Sequence, residues 1–453
     1  MNPYYYQFMP RVGFALQMSP RAVIRGGYSI TDDDEGTGTG LRMTQNPPFL
    51  TSVTNLQHGP TDTTNGNPIS VTNGLTTGTG GHPPSSQFDV WDPNFRPAAV
   101  QQFNLTTQYL LSAKTSFQLG YVGQIGQHIA EPRLLNQYIA QVPATCDPTD
   151  TTGCVDLVAP YYSVVGGNSQ IVETVSGAKS NYNALQTTLH QQESFGLEYT
   201  LNYTWSRSMS NSPGGYFNVD GIGNGGTFAF AQNAYDPNAD YGPSSFNVPN
   251  NFSGTAVYEL PFGHGKKYGS DWNRLTDETL GGWELSANAM FHSGFPATMT
   301  ATGHNTGLNA AADNSNYNYA SRLNQYFPMK ITNRSSLHWF GTDPSATPCT
   351  QAGSIINSLG APCAYGIAAN GQFGNAQNGT ERNPGYRNID LSLFKGFRTF
   401  GNQYLKFRID AYNAFNMVSL AAPNTRAGSS QYGKITSSAS NPRQLQISGV
   451  YTF

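Results

Sequence analysis

The chain has 453 residues and a net charge of −3; 11% of its residues are charged, 12% are aromatic and 49 are glycine. A soluble globule carries about 25% charged residues, and a disordered chain lacks the 26 Tyr and 25 Phe found here. No run of about 18 apolar residues is present, which excludes a membrane-spanning helix, and the lack of a basic cluster excludes nucleic acid as a partner.

Eleven segments alternate between apolar and polar residues, the two-residue period of a β-strand with one apolar face. Segment 11–18 places Val12, Phe14, Leu16 and Met18 on one face. Segment 22–31 places Ala22, Ile24, Tyr28 and Ile30 opposite Arg25 and Ser29. Segments 98–111 (Phe103, Leu105, Tyr109, Leu111) and 115–125 (Phe117, Leu119, Tyr121, Ile125) follow, and 181–192 is weaker, with Leu185 and Leu189. Segment 196–208 is the cleanest: Leu197, Tyr199, Leu201, Tyr203 and Trp205 face one way, and Glu198, Thr200, Asn202, Thr204 and Ser206 the other. Segments 251–262, 282–293, 387–398 and 403–415 repeat the pattern, the last with Leu405, Phe407 and Ile409 opposite Lys406, Arg408 and Asp410. The closing segment, 443–453, has Leu445, Ile447, Tyr451 and Phe453 on one face.

Ten such residues at about 45° tilt rise roughly 23 Å, close to the height of a lipid-facing band. Soluble strands usually run about five or six residues. Tight connections (19–21, 112–114, 193–195, 399–402) alternate with long ones (32–97, 126–180, 209–250, 294–386, 416–442). In an up-and-down sheet, alternate connections emerge on one side, so one side has turns and the other has large loops. Outer-membrane barrels show this asymmetry, with short periplasmic turns and long extracellular loops. Connection 263–281 is the imperfect member of the series. Lys406, Arg408, Asp410 and Asp390 suit a wet lumen, where cross-strand ion pairs are expected. Aromatic residues near the segment ends (Tyr203, Trp205, Phe262, Trp283, Phe291, Phe415, Phe453) suit interfacial girdles. A closed barrel is the remaining way for this chain to cross a bilayer.

The four cysteines form two close pairs, Cys146 with Cys154 and Cys349 with Cys363. Local disulfides in an oxidising compartment are expected, because a zinc-site spacing is missing. The run Asp32-Asp33-Asp34-Glu35 lacks the turn glycine of an EF-hand and reads as solvated loop charge. Asp236 and Asp240, in YDPNADYGP, read as part of a loop whose turns are fixed by Pro237 and Pro243. The histidines (His58, His82, His128, His190, His264, His292, His304, His338) show no metal-ligand spacing. Loop tyrosines Tyr161, Tyr162, Tyr235 and Tyr241 offer stacking faces for a carbohydrate or peptide, although such residues are also ordinary loop material. No GxSxG or P-loop is present, so no enzyme is expected. No cofactor or metal is expected either. The start, MNPYYYQFMPRVGF, lacks a basic n-region followed by an apolar h-region, so the chain is expected to be a C-terminal fragment of a longer secreted protein.

Several stretches together resemble the C-terminal part of TonB-dependent outer-membrane receptors, in particular the Oar-like group. They are PRVGFALQMSPRAVIRGGYSI (10–30), LGYVGQIGQHI (119–129), SNYNALQTTLHQ (180–191), YTWSRSMSNS (203–212), VYELPFGHGKK (257–267), GGWELSANAMFHSGFP (281–296), ERNPGYRNIDLSLFKGF (381–397), FRIDAYNAFN (407–416) and NPRQLQISGVYTF (441–453). The ERNPGYRNIDLSLFK block and the terminal strand are the most specific. The resemblance implies a 22-stranded barrel, a plug domain and energy coupling through TonB. Residues 1–453 hold no recognisable plug and about eleven strands. They are therefore expected to form an all-β, antiparallel up-and-down transmembrane β-barrel portion with long extracellular loops. Tyr451 and Phe453 resemble a C-terminal assembly signal, which implies the barrel-assembly machinery as a partner. Further implied partners are outer-membrane lipid, the TonB complex through the plug region, and an external solute such as a siderophore, glycan, peptide or cobalamin. The expected location is the outer membrane of a Gram-negative cell. The expected role is to supply wall and capturing loops for uptake. The alternatives are a non-transporting surface adhesin or scaffold and an inactive truncated receptor.

Overall fold

The computed structural model describes residues 2–33, 87–137, 160–161, 170–212, 231–301, 322–369, 372–399 and 403–453. Eleven strands form one antiparallel sheet in chain order. They are β1 (Arg11–Ser19), β2 (Ala22–Asp33), β3 (Ala98–Leu110), β4 (Thr115–Leu134), β5 (Gln170–Ser194) and β6 (Leu197–Ser210). Then come β7 (Asn250–Glu259), β8 (Glu284–His292), β9 (Tyr386–Arg398), β10 (Tyr404–Tyr412) and β11 (Gln444–Thr452). Two short strands extend the sheet beside the ends of interior strands: Gln87–Trp91 runs parallel to the start of β5, and Gly242–Pro243 pairs with the end of β6. Every expected segment is a strand.

The register carries one apolar face across the whole sheet. One row reads Leu197, Tyr258, Leu285, Leu393, Ile409 and Ile447, each opposite the next. The row beside it reads Glu198, Val257, Ser286, Ser392, Asp410 and Gln446 and belongs to the polar face. A one-residue slip would exchange the two faces, so burial of one face fixes the pairing. Aromatic neighbours reinforce the apolar face, with Phe252 and Phe291 centred 5.9 Å apart and Trp283 edge-on to Phe407 at 6.2 Å. Phe103 lies over its cross-strand partner Gly123, where a Cβ would fall 2.1 Å from the ring. The ring covers backbone that a side chain would otherwise shield.

The lengths of the strands depart from the sequence-based bounds mainly at β4 and β5. Both continue well past residues 125 and 181 on the long-loop side. The alternation fades there because a bulge shifts the register between Gly126 and Ile129, with His128 at φ 57°. A bulge inserts an unpaired residue and re-aims the strand beyond it. Connection 263–281 departs from a tight turn because it contains a helix, α1 (Arg274–Leu280). Phe195 and Gly196, both at positive φ, make the β5–β6 turn, the backbone geometry of a two-residue type I′ hairpin.

β1 and β11 stand at opposite ends of the sheet and do not pair with each other. An odd number of alternating strands gives these two the same direction, so they cannot close on each other antiparallel. The apolar face is also open: Phe14, Ile447 and Leu445 are 56%, 69% and 71% exposed. The packed core lies in the long loops instead, where Met299, Leu323, Phe340, Ala364, Tyr365, Ile367, Ala376 and Ala427 bury one another.

Candidate functional site in the loop cap

Connections 293–385 and 413–443 build this core, and connection 211–249 joins them and the wall through a few polar contacts. Arg322 Nη2 lies 2.5 Å from Asp240 Oδ1, and both side chains are 4% exposed. The approach is ionic rather than a well-aimed hydrogen bond, since Asp240 Oδ1 lacks a partner by hydrogen-bond geometry. The other carboxylate oxygen accepts from the Gln232 N–H at 2.9 Å, and Arg322 Nη1 donates to the Ala239 carbonyl at 3.1 Å. Burial raises the Asp240 carboxyl and lowers the Arg322 guanidinium, each opposed by the other's charge. Asp240 closes a short 3-10 turn, Pro237–Asp240. The YDPNADYGP loop is thus structured as expected, and its second aspartate is committed to an arginine.

Glu131 stands beside this pair on the extension of β4. About ten residues of a tilted strand cross a bilayer, so Glu131 lies beyond the crossing part of Thr115–Leu134. It is 3% exposed, and its Oε2 has no hydrogen-bond partner. Burial first, and then the Asp240 charge, push its carboxyl up to about 7 against the pull of Arg133. Arg133 is itself engaged with Glu173 across the β4–β5 pair. Gln137 ties the same region together, accepting from Ala234 N–H at 2.6 Å and donating to the Gln232 carbonyl at 2.9 Å. Tyr235 donates its hydroxyl to the Gln137 carbonyl at 2.9 Å, and Tyr241 lies under Lys179 at 5.4 Å. Both tyrosines serve the cap's own structure. Tyr161 is exposed, while Tyr162 lies outside the described residues.

A disulfide joins Cys349 and Cys363, with Cα atoms 5.8 Å apart, as the sequence spacing suggested. Cys146 and Cys154 lie outside the described residues. Asp32 and Asp33 finish β2 and pair with Ala99 and Ala98, so they are strand rather than loop; Asp34 and Glu35 lie outside the described residues. Charges on the polar face pair differently from the cross-strand ion pairs expected of them. Arg408 Nε contacts Asp410 Oδ1 at 2.6 Å along the same strand, and Ser392 supplies the cross-strand link to that carboxylate. Asp390 accepts from the Asn413 N–H at 2.8 Å, and Lys406 lies over Phe394 at 4.7 Å. The short β-strand step leaves residues two apart on one face close enough for this.

Two hollows are built by these elements. One, of about 590 Å³, lies beneath the loops and includes Tyr203, Phe252, Phe291 and Arg387, which share one row of the apolar face. The other, of about 450 Å³, lies between connections 293–385 and 413–443, with Phe340 and Tyr432 as its aromatic walls and His338, Thr347, Ser429 and Ser430 as polar ones. Its size falls within the range of small-ligand sites. The Tyr432 hydroxyl has no partner, and burial raises it well above the usual phenol range. No residue of this cleft stands out in the sequence, because it is assembled from stretches far apart in the chain.

The ERNPGYR block has a structural meaning. Glu381 and Arg382 pair with Ala297 and Pro296 where the loop enters β9, and Arg382 Nη1 donates to the Asn247 carbonyl at 3.0 Å. Gly294 is required opposite it, because a Cβ there would meet the Asn383 carbonyl at 1.7 Å.

The sequence matches the family described as outer membrane beta barrel domain over residues 1–446. This chain belongs to that family. No curated protein matches it. Among solved structures, it is similar to the outer membrane transporter YddB from Escherichia coli, at 9% identity and a TM-score of 0.46 over 95% of this chain and 39% of that one. It is similar to the ferripyoverdine receptor of Pseudomonas aeruginosa at 9% identity and a TM-score of 0.41, covering 99% of this chain and 34% of that one. The FrpB iron transporter from Neisseria meningitidis aligns at 8% identity and a TM-score of 0.40, with 98% and 38% covered. The chain thus spans well under half the length of these structures.

Membership places the domain in the outer membrane. In outer-membrane barrels the outward apolar face is the lipid side and the polar face lines the lumen. The tight turns are periplasmic and the long loops extracellular. The 590 Å³ hollow therefore opens toward the bilayer, and the 450 Å³ cleft lies among the extracellular loops.

Proposed function

We propose that the chain is the C-terminal part of a TonB-dependent receptor of the Oar-like group, supplying wall and capturing loops for uptake of an external solute. The observation that carries this is the pairing of an unclosed eleven-strand wall with an extracellular cap folded around a cleft. β1 and β11 run the same way, so an odd number of further strands must join them for closure. This suits a piece of a larger barrel. The motif stretches shared with the receptor group support the same reading, and in this reading the plug and the TonB contact lie in another part of the protein. Tyr451 and Phe453 act as the terminal signal read by the assembly machinery. The cleft offers hydroxyls, aromatic rings and one histidine, a chemistry that stacks on and hydrogen-bonds a glycan or peptide. Siderophore and cobalamin are the other classes the assay must cover.

The test is growth of a strain lacking the intact locus on each class as limiting nutrient. Loss on one class is expected, with restoration by the native gene. Ser430→Trp, which fills the cleft, is expected to restore the protein to the membrane but not growth. No growth defect on any class would favour the adhesin or scaffold reading, and uptake that persists without TonB would overturn the energy coupling.

A further inference from the structure

Among the described residues, the β7–β8 connection is a periplasmic link longer than a tight turn and holds the only α-helix. Asn273 caps α1, its side chain accepting from the Thr276 N–H at 2.9 Å. The other end of the helix abuts the wall. Lys395 Nζ donates to the carbonyls of Glu278 at 2.6 Å and Asp277 at 3.1 Å. Trp283 Nε1 donates to the Thr279 carbonyl at 2.9 Å.

Lys395 belongs to the lipid-facing row. It pairs with Phe407, one step from the Phe397–Leu405 pair that leads to Tyr451. An ammonium on this face needs acceptors or a route to water. The carbonyls at the end of a helix carry partial negative charge and keep lone pairs free, so they supply those acceptors; that of Asp277 also accepts from the Gly281 N–H. With the helix in place Lys395 is only 5% exposed. The lysine therefore holds α1 on the outside of the wall, at the depth of the periplasmic aromatic girdle.

Several apolar side chains on this outward segment are left open by the protein. Leu275 is 77% exposed and Leu280 59%, and Phe262 and Tyr268 are also exposed on the same connection. Its charges balance: Lys266, Lys267 and Arg274 against Asp271, Asp277 and Glu278. We propose that residues 262–283 form an interfacial collar whose Leu275 and Leu280 insert into the periplasmic phospholipid leaflet. The occupant is phospholipid because the exposed apolar side chains continue the lipid-facing band. The charge balance suits zwitterionic headgroups, with insertion driven by apolar burial. Side chains of such segments reach about 5–10 Å into the headgroup and acyl boundary. The inference rests on the lipid-facing band and not on transport.

The test places tryptophan at Leu275 or Leu280 (L275W, L280W) in the full protein, reconstituted in phosphatidylcholine and phosphatidylethanolamine vesicles. Folding is checked by heat-modifiable gel mobility. The two exposed positions are tolerant, and either one suffices. Relative to the native protein, the added emission is expected to be blue-shifted. Lipid brominated high on the acyl chain should quench it at least twofold, and aqueous iodide should leave it nearly unchanged. Added emission that brominated lipid does not quench would overturn the collar, whether iodide reaches it or not.

Discussion

Arg322 and Asp240 meet at 2.5 Å with both side chains buried, joining two extracellular connections that are distant in sequence. Removing one partner leaves an uncompensated buried charge, which costs about 3–5 kcal/mol. Arg322→Ala is therefore expected to open the cap, exposing residues 231–249 and 322–369 to hydrogen exchange and protease. The wall strands should keep their protection. Unchanged exchange in both connections would show that the pair does not hold the cap.

Glu131 gives this joint a pH dependence. Its carboxyl is pushed up to about 7 in the folded protein, against 4.5 in the ordinary carboxylate range. The folded form thus holds its proton more tightly than the unfolded form. Its contribution is fully present below about pH 4.5 and is lost as pH rises through about 7, roughly 3 kcal/mol at most. Hydrogen exchange of the cap should be faster at pH 8.5 than at pH 5.5 in the native protein, and Glu131→Gln should flatten the difference. A cap whose exchange, corrected for intrinsic rate, is the same at both pH values would refute this.

The disulfide closes a loop of sequence separation 14, and the residues that follow it, Ala364, Tyr365 and Ile367, enter the loop core. Closing a 15-residue loop is worth about 3 kcal/mol. Replacing both Cys349 and Cys363 by serine should raise local opening of residues 349–369 by a corresponding factor while leaving gel mobility of the barrel unchanged. Equal protection in the two proteins would assign the stability to the apolar core alone.

Adjacent residues on opposite faces give a direct test of the lipid band. Ala287 shares a row with Ala256 and Leu391, and Asn288 shares one with Thr255 and Asp390. Ala287→Arg places a charge toward hydrocarbon and is expected to cost about 2–4 kcal/mol, whereas Asn288→Arg faces the lumen and should cost far less. Denaturant titration in bilayers separates them. Equal penalties would mean that the two faces have the same environment and would overturn the lipid band.

The period-two alternation determined the eleven strands and their two faces, and the alternation of short and long connections suited pairing in chain order, which the fold shows. The period-two pattern could do so because each strand crosses a uniform apolar layer, and every other side chain must match that layer. Loop asymmetry likewise fixed which end carries turns. The alternation failed where its cause ended. Past the bulge at His128, β4 and β5 leave the layer, and their continuation was legible only in the register. The cap was illegible for the same reason. Nothing periodic links Asp240 to Arg322, Cys349 to its packing around Tyr365, or Lys395 to the end of α1. Only the folded chain brings those groups together, because each contact depends on loop paths that are set by side-chain packing and hydrogen bonding between distant segments.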